Sequence, residues 1–398
     1  MKKSNIYLVA ALLGVISAIG YTRHQSAPTL TIQDQSGSGK QVYWGIIGLG
    51  ATDAANWYYL SPTTQTMVIC YAGQNLSSIF QPLSGTTTIN LPATSSGRVY
   101  FALGKPLSSS PFGSAANIVL PNFIGADPNT GTIYDKVEFT YKPLLPMGFV
   151  NTTLVDYMSI PFGVTLTGRQ KGVQNAGILT AKRDDIMKQM AGLSPQYAAL
   201  VVTGTSYPGL TKYIRVVSPI SPAANYVANG QGLKFNANKY YGAYIASVWE
   251  QYKYAKWPID LTAAYGVTLT GQVVGTSMVF TDSNSNTYTI RYPSGSDLLG
   301  CTGVFLPTGV GIQQQINGIV KRDVAAAMNR AVAQVTATAK CVTPRYVRSP
   351  YNEYAKVIHA NSLNGLNYAF PYDDVCDGSS GMGDTKPTNV SITLLPWN

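Results

Sequence analysis

The chain has 398 residues, of which 45% are hydrophobic and only 12% are charged, against a usual charged share of roughly 25%. Such a composition excludes a disordered chain and indicates a globular protein of two packed lobes or one enlarged domain, with an uncharged polar surface. The net charge of +10 comes from Lys and Arg scattered along the chain in runs no longer than two, so the clustered stripe of a nucleic-acid binder is missing and weak attraction to anionic surfaces is left.

At the N-terminus Lys2 and Lys3 precede an apolar run over 6–19, after which Tyr21, Thr22, Arg23 and His24 take over. That is an export-signal profile. The run is shorter than the roughly 20 apolar residues of a membrane span, although counting through Gly20 and Tyr21 keeps a signal anchor open. The expectation is a signal peptide over 1–21 and a secreted product, extracellular or periplasmic, with no stable membrane insertion after cleavage. Residues 22–42, rich in Thr, Ser, Gln and Gly without a hydrophobic period, read as a linker. The fold is expected to begin at Tyr43.

Further along, Lys136-Val137-Glu138-Phe139-Thr140-Tyr141 alternates as a strand. Val137, Phe139 and Tyr141 share one face and Glu138 and Thr140 the other. Pro143, Pro146 and Gly148 interrupt pairing before a second β-prone run, Thr152 to Met158, in which Asp156 shares parity with Leu154 and Met158. A hairpin centred on Met147 would set Glu138 facing Asp156. Residues 182–191 carry Ile186, Met187 and Met190 at helical spacing, and residues 320–336 carry Val324, Met328, Val332 and Val335 likewise; both are expected to be core-facing helices. Strands are expected over 198–203 and 287–292. The most aromatic stretch, 240–257, places Tyr241, Tyr244, Val248, Trp249 and Tyr252 at helical offsets, with packing as their expected role. In outline, 43–165 is a β lobe, 166–345 a mixed α/β lobe, and 346–398 a segment returning to the β lobe.

Elimination narrows the chemistry. Cys70, Cys301, Cys341 and Cys376 make an even count without CxxC spacing, which in an exported chain reads as up to two disulfides, with buried free thiols as the alternative. Cys301, Cys341 and Cys376 are placed to staple the C-terminal segment, with Cys70 bridging lobes. His24 and His359 are the only histidines, which excludes a His-based metal cluster and leaves a Ser-His-Asp triad only His359. Residues 356–360 read as a strand, where a structural histidine is expected. Carboxylates remain. Glutamate occurs only at 138, 250 and 353, and a carboxyl group set in an apolar strand costs free energy unless it is partnered or used. Glu138 and Asp156 read either as a solvent-face residue and a structural one, or as the pair that glycoside hydrolysis requires.

The stretch Glu138-Phe139-Thr140, then Asn151-Thr152-Thr153-Leu154-Val155-Asp156 and Ile160-Pro161, resembles the central signature of glycoside hydrolase family 64, the β-1,3-glucanases, and the cleft segment of thaumatin-like proteins. The runs 98–107, 215–219 and 368–375 have the same look, in the same order. The resemblance implies a mainly β fold with an α/β part: a thaumatin-like β-sandwich or barrel lobe and a mixed α/β lobe forming a wide cleft. It implies an inverting endo-type β-1,3-glucanase, which the export signal makes a secreted one, expected as a monomer and, without a ligand cluster, expected to need no metal or cofactor. Glu138 is the general acid, Asp156 the general base, and β-1,3-glucan the partner. Thr140 and Thr153 match cleft-lining positions. Asn151 replaces an acid common in thaumatin-like clefts, Phe149 stands where Trp is frequent, and Lys142 where an uncharged polar residue is frequent. Either Asp373 or Asp374 is similar to an aspartate that reaches the cleft in thaumatin-like proteins, with loop capping as the alternative role of both. The alternative on the same scaffold is a secreted glucan-binding protein without turnover.

Overall fold

Strand-forming residues from both ends of the chain meet in one sheet. In the computed structural model, which describes residues 27–122, 127–143, 147–177, 179–220, 235–335, 344–376 and 378–397, Thr29–Asp34 pairs in parallel with Pro387–Leu394 and antiparallel with Thr86–Asn90. Phe162–Gly168 and Gly172–Asn175 complete a five-stranded sheet. An eight-stranded sheet runs Met382–Asp384, Met147–Thr152, Tyr134–Lys142, Thr94–Leu103, Val42–Gly50, Trp57–Leu60, Met67–Ile69, with Gln81–Pro82 pairing to Val42–Gly50.

The two-residue strand period sends alternate side chains to opposite faces, and both faces of the larger sheet are used. Val99, Phe101, Val137, Phe139 and Val150 pack against Leu30, Ile32, Val164, Leu166, Val390 and Ile392 of the smaller sheet. This makes a sandwich, each such side chain contributing roughly 1.5 to 3 kcal/mol by leaving water. Tyr100, Ala102 and Tyr134 point the other way, into a core shared with the helices Arg183–Ala191, Ala237–Gln251, Gly311–Asn329 and Glu353–Ala360. A three-stranded sheet (Tyr157–Met158, Tyr213–Val217, Val201–Thr203) and a four-stranded meander from Trp257 to Arg291 lie on that helical side.

The helix around Ile186, Met187 and Met190 forms as its spacing predicts. Tyr241, Tyr244, Val248 and Trp249 are buried on the Ala237–Gln251 helix, with Tyr252 as its C-cap. Several expectations are corrected. Within the region expected as a linker over 22–42, Thr29–Asp34 is a sheet strand, because Leu30 and Ile32 alternate with Thr29, Thr31 and Gln33 and bury one face. The helix expected over 320–336 spans Gly311–Asn329, so Val332 and Val335 lie beyond its end. The strand expected over 198–203 is Val201–Thr203, after a short helix Pro195–Ala198 begun by its proline. No sheet among the described residues closes into a barrel. Cys70 and Cys301 are buried free thiols, which removes both from the disulfide framework. Cys341 and the expected signal over 1–21 lie outside the described residues. Among those described, no helix is long and apolar enough to cross a membrane.

Candidate active site on the outer face of the eight-stranded sheet

Where the apolar core on the helical side of the large sheet gives out, the same face turns polar. Along Tyr134–Lys142 the outward residues run from buried Tyr134 and Lys136 to partly exposed Glu138, Thr140 and Lys142. Arg98 lies opposite Glu138 on one neighbouring strand and Asn151 on the other. Directly opposed residues point to the same side, so Arg98, Glu138 and Asn151 form one row and Thr140 and Phe149 the next.

A β-bulge aims Arg98. Thr94 pairs with Tyr141 and Gly97 with Phe139, which leaves one extra residue on the Arg98 strand and increases the local twist. Ser96 takes a left-handed conformation there and donates its backbone N–H to Thr140 Oγ1 at 3.2 Å. Gly97 is required by close approach, since a Cβ would meet the Phe139 ring at 2.9 Å. Arg98 Nε then rests 3.4 Å from Glu138 Oε1, with its guanidinium over the Trp57 ring.

Asp156 arrives by a different route from the facing hairpin. The observed register joins Lys142 to Met147 and Glu138 to Asn151, so the connection is tighter than a loop centred on Met147. The second strand ends at Thr152, before it reaches Asp156. There the chain changes sheets. Thr153 bridges to Tyr368, Leu154 donates its N–H to the Tyr368 carbonyl at 2.8 Å, and Tyr157 and Met158 pair with Val217 and Val216. Ser218 N–H binds the Asp156 carbonyl at 2.9 Å. The turn breaks the strand alternation, leaving Leu154 and Met158 buried and Asp156 exposed. Its Oδ2 lies 2.7 Å from Lys136 Nζ. The side chains of Asp156 and Lys136 are 52% and 5% exposed respectively.

The Lys136 ammonium beside it holds the Asp156 carboxyl below the ordinary carboxylate range. Burial pulls the Lys136 ammonium down, but Asp156 and Glu138 together overcome it and hold its pKa above the usual lysine value. The face thus carries two carboxylates, each beside its own cation.

Of the other sequence-predicted residues, Phe149 is 39% exposed beside Thr140. Thr153 is buried at the sheet change, and Asn151 is half-buried with its Oδ1 unpartnered among the described residues. Lys142 sits at the far end of the strand, four residues or about 13 Å from Glu138 at strand rise, whereas Lys136 is two residues away. Asp373 is corrected as a cleft residue: it is wholly buried, bound by Arg330 at 3.0 Å, His359 Nε2 at 2.8 Å and the Ala369 N–H. Burial alone would raise Asp373, but His359 and Arg330 outweigh it and hold the carboxyl below its usual range. Asp374 is partly exposed and paired with Arg322, which stacks over Tyr372. His359 is structural as expected, but on the helix Glu353–Ala360 rather than a strand. No group of three or more potential metal ligands occurs among the described residues.

Sequence reasoning gave no role to Arg98 or Lys136. The strand period carried the signal for Lys136, which is two residues from Glu138 and so on its face. Arg98 needed the pairing register, which its own stretch of sequence does not contain.

A family profile described as glycoside hydrolase 64, β-1,3-glucanase, matches residues 27–394. A glucan endo-1,3-beta-glucosidase from Cellulosimicrobium cellulans is 26% identical over 325 residues, covering 78% of this chain and 54% of that protein. The chain spans about half the length of the curated relatives it matches. The crystal structure of a laminaripentaose-producing β-1,3-glucanase in complex with laminaritetraose superposes with a TM-score of 0.75 at 22% identity, over 94% of this chain and 99% of that one. A β-1,3-glucanase domain (GH64) from Clostridium beijerinckii gives 0.70 at 22%, over 94% and 98%. At this identity these structures establish the fold, and the profile match from residue 27 to residue 394 places the chain in glycoside hydrolase family 64, the β-1,3-glucanase family.

Proposed function

We propose that this chain is a secreted, monomeric endo-β-1,3-glucanase that hydrolyses its polysaccharide with inversion, Glu138 acting as general acid and Asp156 as general base. The observation that carries the reading is the pair of partly exposed carboxylates on one polar face, Glu138 beside Arg98 and Asp156 on Lys136, in a chain of this family. Glu138 gives its proton to the leaving glycosidic oxygen as the bond from that oxygen to the anomeric carbon breaks. Asp156 takes a proton from the water that attacks the same carbon from the opposite side, so the new hemiacetal is born in the α configuration. Asp156 held ionised suits a base.

The offset placement of the two carboxylates favours inversion over retention in this reading. Lys136 and Glu138 are two residues apart on one strand, about 6.6 Å by strand rise, and Asp156 docks on Lys136 rather than opposite Glu138. An inverting pair needs roughly 6.5 to 9.5 Å between its carboxyl groups for the water, against roughly 5 Å in a retaining pair, and an Asp156 that stands off the Glu138 row is the arrangement the inverting reading calls for. Phe149, Thr140, Asn151, Thr153, Lys142 and Asp374 are the proposed glucan contacts of a wide cleft between a thaumatin-like β lobe and the mixed lobe. The proposed disulfide is Cys341 to Cys376, the pair left once Cys70 and Cys301 are free.

Incubation with laminarin or curdlan, followed by a reducing-sugar assay, tests the reading. Soluble oligosaccharides released without added metal support it. Glucan binding with no sugar release would instead identify a non-catalytic glucan-binding protein.

A further inference from the structure

Resting on that reading, we infer that Lys136 is a positioning residue for the reaction: its buried ammonium fixes the Asp156 carboxylate against the strand that carries Glu138, setting base and acid at a constant spacing. A lysine is almost never fully buried unless it is paired, and this side chain is 5% exposed with its Nζ 2.7 Å from Asp156 Oδ2. The Tyr157 ring lies under the same ammonium at 4.9 Å. The Lys136 backbone is held in the sheet, paired with Tyr100, and its N–H donates to Asp135 Oδ1 at 2.8 Å.

The asymmetry of exposure assigns the roles. Lys136 is almost wholly buried and Asp156 is half open, so the cation serves the carboxylate from below and leaves Oδ1 free of hydrogen bonds among the described residues. The backbone of Asp156 is pinned by Ser218 and by the strand pairing of Tyr157. Among the described residues Lys136 is the hydrogen-bond partner of the carboxylate, with Arg98 adding a second attraction. Lys136 and Glu138 share a rigid strand and a face, which makes the strand a ruler between the two reacting groups. The charged and titratable groups that face Asp156 are Lys136, Arg98 on the next strand, Tyr157 beside it and Tyr354 from the helix Glu353–Ala360, and Lys136 also faces Glu138 and Tyr100.

Lys136→Met tests the assignment, because it keeps most of the volume and leaves Asp156 solvated rather than stranded. The expected result on laminarin is a kcat lower by about 10²-fold, the scale of an ångström's misplacement, with KM little changed. The acidic limb of the kcat/KM profile moves to higher pH, since the base has lost its cation. In the Asp156→Asn background the same change costs nothing further. Lys136→Arg, which keeps the charge but shifts it, should restore the acidic limb while recovering only part of kcat; it carries the test if the Met variant does not fold. Wild-type kcat and an unmoved acidic limb in Lys136→Met, with Asp156→Asn inactive, overturn the role of Lys136 alone. Asp156→Asn at the wild-type rate overturns the underlying assignment of the base.

Discussion

Glu138 stands opposite Asn151 across its strand pair, while Asp156, beyond the end of that pair, turns back onto Lys136. The two carboxylates therefore reach one face by different supports, and neither can be replaced by the other. Glu138→Gln and Asp156→Asn should each nearly abolish turnover while leaving glucan binding largely intact, as general acid or base assistance is typically worth about 10² to 10⁴-fold. Proton NMR of the first product should show the α anomer. With Asp156→Ala, azide acting from the base's side should give an α-configured glycosyl azide from the β-linked substrate. A β-configured wild-type product would remove Asp156 from the role of base.

Phe149 is a partly exposed aromatic beside Thr140, one cross-strand row from Glu138. Its position suits stacking on a sugar ring rather than chemistry. Phe149→Ala should therefore raise KM for long glucan several-fold, as expected for losing a ring contact worth roughly 0.5 to 1.5 kcal/mol. Its kcat should stay within about twofold, because uniform binding is what the ring supplies. Steady-state kinetics on laminarin decide this: a large fall in kcat with KM unchanged would show that the ring orients the reacting sugar.

Much of this architecture was legible in local sequence because local periodicity reports burial. Val137, Phe139 and Tyr141 alternate against Glu138 and Thr140, and Ile186, Met187 and Met190 mark a helix face. What was not legible depends on partners distant in the chain. The strand Thr29–Asp34 looks like a polar linker until Pro387–Leu394 lies beside it, more than three hundred residues later. The sheet change at Asp156 follows from Tyr368, Val217 and Ser218, none of which is near it in sequence. His359 sits in a β-prone run that tertiary packing holds as a helix, capped at Asn352 by its own side chain. Asp373 had the sequence context of a cleft aspartate, and only the fold shows that Arg330 and His359 enclose it.

The cysteines give a countable outcome. Cys70 and Cys301 are buried free thiols, and burial pushes Cys70 up to about 12, which makes it a poor nucleophile in the folded protein. Thiol reagent should react slowly with the native protein. Once denatured without reductant the chain should titrate two thiols, rising to four after reduction, if Cys341 and Cys376 are joined. Four thiols before reduction would rule out that pairing.

Asp135 provides a pH dependence separable from catalysis. It is wholly buried beneath the site strand, accepting the N–H groups of Ser159, Ile160 and Lys136 at 2.7, 3.0 and 2.8 Å. Burial raises its pKa to about 7 from the model-compound value of 3.8, against the lowering effect of those hydrogen bonds and Lys136. For an acid whose folded pKa lies above its unfolded one, the folded state holds the proton longer. Its contribution to stability is therefore fully present below about 3.8, falls as pH rises through the window up to about 7, and is constant above it. Asp135→Asn removes the titration and keeps one oxygen for the Ser159 and Ile160 N–H groups, although the whole curve should drop because the Lys136 N–H loses its acceptor. Urea unfolding of both proteins between pH 4 and pH 8 gives the comparison. The stability advantage of the wild type over Asp135→Asn should shrink with rising pH across that window and level off near neutrality. A difference that grew with pH would mean that the three N–H groups and Lys136 outweigh burial, and that Asp135 is ionised throughout.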